Sequence, residues 1–253
     1  MTQDERRVWL IRALLDEQGY REKVPQDVWE QKRLLRGLLN VRPPESVSEE
    51  FLAVQDAYLL EATREKGVTR LSDLKPVKPH QYLWQGDITT LEVDAIVNAA
   101  NAALLGCMVP NHACIDNAIH TFAGIQLRLA CHAIMQKQGH PEPTGCAKLT
   151  PGFCLPAKYV LHTVGPIVSG RLSETHCALL KSCYESCLAL AAKNGIKSVA
   201  FCCISTGVFG FPKPEAAKIA VDTVTAFQKT HPIDVVFNVY KEADLRLYRA
   251  LLS

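Results

Sequence analysis

Two thiols and one imidazole stand close together in Gly106-Cys107-Met108-Val109-Pro110-Asn111-His112-Ala113-Cys114, a Cys-x4-His-x-Cys spacing directly before a stretch of helical periodicity. Thiolate sulfur and imidazole nitrogen form a soft-to-borderline ligand set suited to zinc, and Pro110 keeps the segment out of helix so that the three side chains can converge. Structural zinc commonly takes four protein ligands, whereas three leave a position for water or substrate. The spacing by itself leaves two readings open, a metal site and three unconnected side chains in a chain with 10 cysteines, because zinc motifs commonly show a second ligand pair and none follows here.

Three further segments carry polar chemistry. Ala95-Ile96-Val97-Asn98-Ala99-Ala100-Asn101 is an apolar run ending in two amides, each both donor and acceptor, which suits hydroxyl recognition at the carboxyl end of a strand; asparagine is also simply common in turns. Cys203-Ile204-Ser205-Thr206-Gly207-Val208-Phe209-Gly210-Phe211-Pro212 leads from a strand into a helix opening near Pro214. Glycines there would let backbone N–H groups approach an anion, and the helix start favours negative charge, so the loop fits a diphosphate cradle as well as an ordinary strand-to-helix connection. Asp116, two residues beyond Cys114, is either a helix-start aspartate favoured by the dipole or a group that orients or deprotonates water beside a metal. His120, one turn later, reads as a packed histidine.

The elements that must position these residues fall into two patterns. Residues 1 to about 75 read as helices: Val8 to Leu15 stopping toward Gly19, a second with Val28, Trp29, Leu34, Leu35, Leu38 and Leu39, and a third starting at Ser46 with Glu49 as a capping box and ending at Gly67. Pro76 and Pro79 disfavour helix and sheet interior alike and mark the boundary. Beyond it, β-rich runs at Tyr82 to Trp84, Ala95 to Val97, Tyr159 to His162, Ser198 to Ile204 and Asp234 to Val239 alternate with helical stretches at Ile115 to Ala123, Ser173 to Asn194 and Pro214 to Lys229. That alternation predicts an α/β sandwich with a largely parallel sheet.

Composition excludes several classes. With 28 basic and 26 acidic residues the net charge is only +2, no local basic patch stands out, and so neither a nucleic acid nor a membrane surface is an expected partner. The amino-terminal MTQDERRVWLIRALL lacks the features of a signal peptide and no long apolar run occurs, so a soluble, cytoplasmic protein is expected, with nothing demanding more than a monomer. Cysteines within apolar runs such as Phe201-Cys202-Cys203-Ile204 fit a reducing compartment, where free thiols act as small hydrophobes.

Taken in order, Trp84-Gln85-Gly86-Asp87-Ile88-Thr89, Asp94-Ala95-Ile96-Val97-Asn98-Ala99-Ala100-Asn101, Ile115-Asp116-Asn117-Ala118-Ile119-His120, His162-Thr163-Val164-Gly165-Pro166 and Ser205-Thr206-Gly207-Val208-Phe209-Gly210 resemble the motifs of macrodomains over about residues 81–253. The Cys/His cluster stands where many hydrolytic members carry a glycine-rich run, and in that, and in its helical extension, the chain is similar to the zinc-dependent subclass. The resemblance implies a three-layer α/β/α sandwich with a mixed, largely parallel sheet, residues 1–75 forming a helical extension. It implies one zinc ion on Cys107, His112 and Cys114, and ADP-ribose as ligand. Asp87 would accept from the adenine amino group with Ile88 beside it, and Tyr240 would pack on adenine. Ser205, Thr206, Gly207, Val208, Phe209 and Gly210 would wrap the diphosphate, Phe209 also lying near the distal sugar. Asn98 and Asn101 would face the distal ribose, with Asp116 and Asn101 at the catalytic step. The activity implied is removal of mono-ADP-ribose from a modified protein. A non-catalytic ADP-ribose reader, an esterase acting on O-acetyl-ADP-ribose and a purely structural zinc module are the other functions these residues allow.

Overall fold

The amino-terminal third folds as helices because its apolar residues recur at helical spacing and each run begins on a capping side chain. The computed structural model describes residues 1–253 and places α1 at Gln3–Glu17, α2 at Val28–Val41 and α3 at Glu49–Lys66. Thr2 accepts from the backbone N–H of Glu5, Asp27 from that of Glu30 and Ser48 from that of Phe51, satisfying donors that the first turn leaves free. The cap of α3 is therefore Ser48 and not Ser46. Glu49 and Glu50 then fall within the first turn, where the helix dipole favours negative charge. The three helices bury Leu10, Ile11, Leu35, Phe51 and Leu59 in a core of their own, which also takes in Ile125 and Cys154 from the chain beyond.

Strands follow: β1 (Thr69–Arg70), β2 (Pro76–Lys78), β3 (Gln81–Gln85), β4 (Leu91–Glu92) and β5 (Ala95–Ala100). Helices α4 (Ile115–Ala123) and α5 (Ile125–Gln138) lead to β6 (Ala147–Pro151) and β7 (Tyr159–Val164). The chain closes with α6 (Glu174–Lys193), β8 (Ser198–Phe201), α7 (Lys213–Gln228), β9 (Asp234–Val239) and α8 (Glu242–Leu252). Seven strands form one sheet in the order β2-β3-β9-β8-β5-β7-β6, and β1 pairs with β4 outside it. The five inner strands are parallel, while β2 and β6 run antiparallel at the two edges. Pro76 is tolerated because β2 is an edge, where one side of the strand needs no donor.

Helices α4 and α5 cover one face of the sheet, with α2 and α3 packed outside α4, while α6, α7 and α8 pack side by side on the other. This is a mixed, largely parallel α/β/α sandwich. The inner strands are buried on both faces, so they read as continuous apolar runs such as Val199-Ala200-Phe201 and Val235-Val236-Phe237. The apolar run Ser198 to Ile204 is longer than its strand: pairing ends at Phe201, and Cys202 to Ile204 already belong to a buried loop. All ten cysteines are free, five of them buried. No helix is long and apolar enough to cross a membrane.

Candidate active site

The Cys/His segment bridges β5 and α4. It starts at Gly106, whose φ of +81° suits glycine, and a Cβ there would lie 2.8 Å from the His120 ring packed beneath it. Asn111, at φ 56°, turns the tip, and the His112 N–H closes back on Val109 O at 3.2 Å. The turn brings Cys107 Sγ to 3.4 Å from His112 Nδ1, and the three ligand atoms of Cys107, His112 and Cys114 lie within 4.8 Å of one another. Cys114 also caps α4, its sulfur accepting from the Asn117 N–H at 3.4 Å. Burial pushes the Cys114 thiol up to about 11, which a divalent cation would reverse by binding the thiolate. Two sulfurs and one nitrogen, partly open to solvent, converge on one point, a donor set that fits zinc.

Beside this loop the two asparagines of the β5 motif meet Asp116. Asn98 Nδ2 donates to Asp116 Oδ1 at 2.8 Å, and Asn101 Nδ2 reaches Asp116 Oδ2 at 3.5 Å while donating to Gly106 O at 3.0 Å. One carboxylate thus lies between two amides and adjoins the Cys/His turn. Asp116 is 5% exposed, and burial raises its carboxyl to about 6 against the opposing pull of the Asn98 hydrogen bond and the Arg128 charge. A carboxyl in that range can both hold and release a proton near neutral pH.

The floor of the site holds His120, buried as its reading as a packed histidine expects, together with His162, Thr150 and Cys131, to which sequence reasoning gave no role. His162 sits between Asn98 and Thr150, its Nδ1 3.3 Å from Asn98 Nδ2 and its Nε2 2.9 Å from Thr150 Oγ1. His120, Cys131 and His162 also bring possible ligand atoms within 4.8 Å of one another. That trio is fully buried, however, and the Arg128 guanidinium already repels positive charge at His120. Burial holds His162 down to about 3 and His120 well below its usual value, so both are neutral supports. Their motif positions were visible in the sequence; their inward direction needed the sheet.

The other expected contacts lie along the carboxyl ends of neighbouring strands. Asp87 follows β3 and caps the turn Ile88–Thr90, accepting from Thr89 N at 3.0 Å and Thr89 Oγ1 at 2.6 Å. Its second oxygen pairs with Lys66 Nζ of α3 at 2.9 Å. Burial pushes Asp87 up, but these partners outweigh it and hold the carboxyl below its usual range, while burial draws Lys66 down. Ile88 beside Asp87 is buried, only 1% exposed. Tyr240 follows β9 and is 76% exposed.

After β8 the chain loops through Ser205, where φ is +64°, with Gly210 N bonded to Gly207 O at 3.1 Å and Phe211 N to Ser205 O at 3.0 Å. The loop packs against the turn after β7, Val168 N donating to Phe209 O at 2.8 Å, and opens into α7. The order β3-β9-β8-β5 therefore lines up Asp87, Tyr240, the Ser205–Gly210 loop and the Asn98, Asn101, Asp116 and Cys/His group in a row. Four adjacent strands span about 14 Å at the usual strand spacing.

Comparison with known proteins agrees with this geometry. A family model described as the Macro domain matches residues 97–220. A protein of Treponema medium called "Protein-ADP-ribose hydrolase" is 59% identical over 261 residues, covering 100% of both chains. A Staphylococcus aureus (strain MSSA476) protein of the same name is 55% identical over 228 residues, covering 88% of this chain and 84% of its own length. Among solved structures, the Trypanosoma brucei macrodomain in complex with ADP-ribose is 33% identical with a TM-score of 0.67, covering 86% of this chain and 95% of its own. The Oceanobacillus iheyensis macrodomain with ADP is 36% identical with a TM-score of 0.64, covering 71% of this chain and 93% of its own. The row of strand-end residues, the sandwich that presents them and relatives of this identity over most or all of the chain place it in the macrodomain family, beside the proteins called protein-ADP-ribose hydrolases.

Proposed function

We propose that this protein is a zinc-dependent hydrolase that binds ADP-ribose and removes mono-ADP-ribose from modified proteins. Residues 81–253 are the catalytic unit and residues 1–75 its helical extension, acting as a monomer in a reducing, cytoplasmic setting. The observation that carries the reading is the convergence of Cys107, His112 and Cys114 beside Asp116 at one end of the strand-end row. Asp87 and Tyr240 would take adenine at the other end, and Ser205, Thr206, Gly207, Val208, Phe209 and Gly210 would receive the diphosphate between them, as oriented N–H groups near a helix start receive anions.

Bound by Cys107, His112 and Cys114, zinc would supply a Lewis acid with an open position next to the distal ribose. Asn98 and Asn101 fix the Asp116 carboxylate; Asn98 Oδ1 is buried with no partner within the protein, while Asn101 Oδ1 accepts from the Ala103 N–H at 3.0 Å. Asp116 takes the proton of the attacking water as the water oxygen bonds to the anomeric carbon, and gives that proton to the protein side chain as the bond to it breaks. The products are ADP-ribose and the unmodified protein.

The test pairs turnover with binding. Wild type, Cys107→Ala and Asp116→Ala are incubated with a mono-ADP-ribosylated protein and released ADP-ribose is quantified, while calorimetry follows binding of free ADP-ribose. Both variants should bind the nucleotide and turn over about 10²- to 10⁴-fold more slowly, the range for a lost acid–base group. Undiminished turnover by zinc-free Cys107→Ala would refute the metal's role, and wild type that binds without turning over would make the protein a reader.

A further inference from the structure

Helix α2 of the extension grips the Cys/His loop through side chains. Arg36 donates to Asn117 Oδ1 from Nη2 at 2.7 Å and from Nε at 3.1 Å, and Nη2 also reaches His112 O at 3.3 Å. Asn117, fully buried, continues the tie: its Nδ2 donates to Cys107 O at 3.3 Å and Val109 O at 3.1 Å, and its backbone N–H meets Cys114 Sγ at 3.4 Å. One turn further along α2, Asn40 Oδ1 accepts from the N–H of Asn111 at 2.9 Å while its Nδ2 donates to Thr121 Oγ1 at 3.0 Å. Each of the three expected ligands is thus one hydrogen bond from Arg36 or Asn117.

The approach of α2 is close enough to leave a mark in its sequence. A Cβ at Gly37 would lie 3.2 Å from Asn111 Nδ2 and 3.8 Å from the Pro110 side chain. Glycine inside a helix costs about 1 kcal/mol relative to alanine, and here it lets the helix sit against the loop tip. A nine-residue irregular loop left to itself would sample many conformations, and ordering it would subtract from the free energy of metal binding. Donors held on a rigid helix remove much of that loss in advance.

Resting on the zinc reading above, we propose that Arg36 and Asn117 are positioning residues through which α2 fixes the conformation of residues 106–114 and sets their affinity for a divalent metal. The bidentate fork matters: a lysine at 36 keeps the charge but cannot give Asn117 Oδ1 two parallel bonds.

The experiment measures zinc affinity of the full chain by competition with a chelator for wild type, Arg36→Met, Arg36→Lys, Asn117→Asp and, as control, Arg33→Met, whose side chain stacks over Trp29 at 5.5 Å on the same helix. Hydrogen exchange of the 107–114 amides is followed in parallel on metal-free protein, and thermal midpoints establish that each variant is folded. Arg36→Met should lose about 10- to 100-fold in zinc affinity, as expected for partners behind metal ligands, and its loop amides should exchange faster. Arg36→Lys should fall between, Asn117→Asp should follow Arg36→Met because it cannot donate to Cys107 O and Val109 O, and Arg33→Met should match wild type. If Arg36→Met does not fold, Arg36→Lys and Asn117→Asp decide by the same readouts. Folded variants with wild-type zinc affinity and unchanged loop exchange would overturn the proposal. Wild type that holds no zinc would sink the metal reading and the affinity claim together, the exchange arm alone then deciding whether α2 orders the loop.

Discussion

Gly165→Ala tests whether the turn after β7 and the Ser205–Gly210 loop are built as one nucleotide cradle. A Cβ on Gly165 would lie 2.0 Å from Ser205 Oγ and 2.8 Å from the Ile204 side chain. The first contact is about 1.5 Å short of the ~3.5 Å at which such atoms rest. Ser205 cannot swing aside freely, because it is 5% exposed, holds φ at +64° and fixes the loop exit through Phe211 N at 3.0 Å. The loop must therefore move, and overpacking of this kind costs about 1–3 kcal/mol. If about half of that falls on the binding-competent loop, ADP-ribose affinity drops about 2- to 10-fold, since 1.4 kcal/mol is tenfold. Calorimetry with ADP-ribose and urea denaturation measure the two parts. Ser205→Gly removes both the clashing hydroxyl and the strained φ, so the double variant should recover most of both losses, a coupling that a double-mutant cycle reads directly. A Gly165→Ala protein with wild-type affinity and stability, or losses that Ser205→Gly does not relieve, would refute the reasoning.

Lys66→Met should raise the titration of Asp87 toward the ordinary carboxyl range, read by carbon NMR, while changing stability by no more than about 1 kcal/mol because the pair is partly solvated; an unmoved Asp87 would show that Thr89 alone holds it. Metal-free protein should lose stability as pH falls, because unfolded His120 and His162 take up protons near 6.5 while burial keeps the folded pair neutral, His162 down to about 3. Asp116, protonated at about 6 when folded and at 3.8 when unfolded, offsets one histidine between those values, so these three groups leave a net loss of about 1.4 kcal/mol per pH unit there, and a flat urea-denaturation profile from pH 6 to 4 would contradict it.

Local chemistry was readable because it is nearly contiguous. Cys107, His112, Cys114 and Asp116 lie within one loop and the first turn of a helix, so their spacing permits a cluster, which the family resemblance then favours over unconnected side chains. Arg36 was not readable. Its partner Asn117 is 81 residues away, and among Lys32 and Arg33 it looks like part of a solvated face. The one available signal was Gly37, a glycine inside a strong helical pattern that could mark close approach to another segment. Helix α5 escaped for a related reason: it buries Arg128 along with Leu127 and Cys131, so its polar and apolar residues do not separate into a clean stripe. The apolar run Cys202 to Ile204 misled in the opposite direction, since burial alone does not distinguish a strand from the buried loop that continues it.

The extension reaches both ends of the row of strand-end residues, and this makes it part of the site. At one end Lys66 of α3 pairs with Asp87 and lies 3.2 Å from the centre of the Phe122 ring; at the other, Arg36 and Asn40 of α2 hold the Cys/His loop. Between them Arg128 of α5 donates to the carbonyls of Leu39, Asn40 and Arg42, just past the middle of the extension, and its Nε reaches back to Leu105 O at 2.8 Å, next to Gly106. A buried guanidinium spread over four carbonyls has little freedom to follow one partner without losing another, and losing charged hydrogen bonds in the interior costs about 1.5–3 kcal/mol each. A shift of α2 is therefore transmitted to the start of the ligand loop through Arg128 and to its tip through Asn40. The helices that the sequence marks off as an extension are thus joined by hydrogen bonds and an ion pair to the residues expected to do the chemistry.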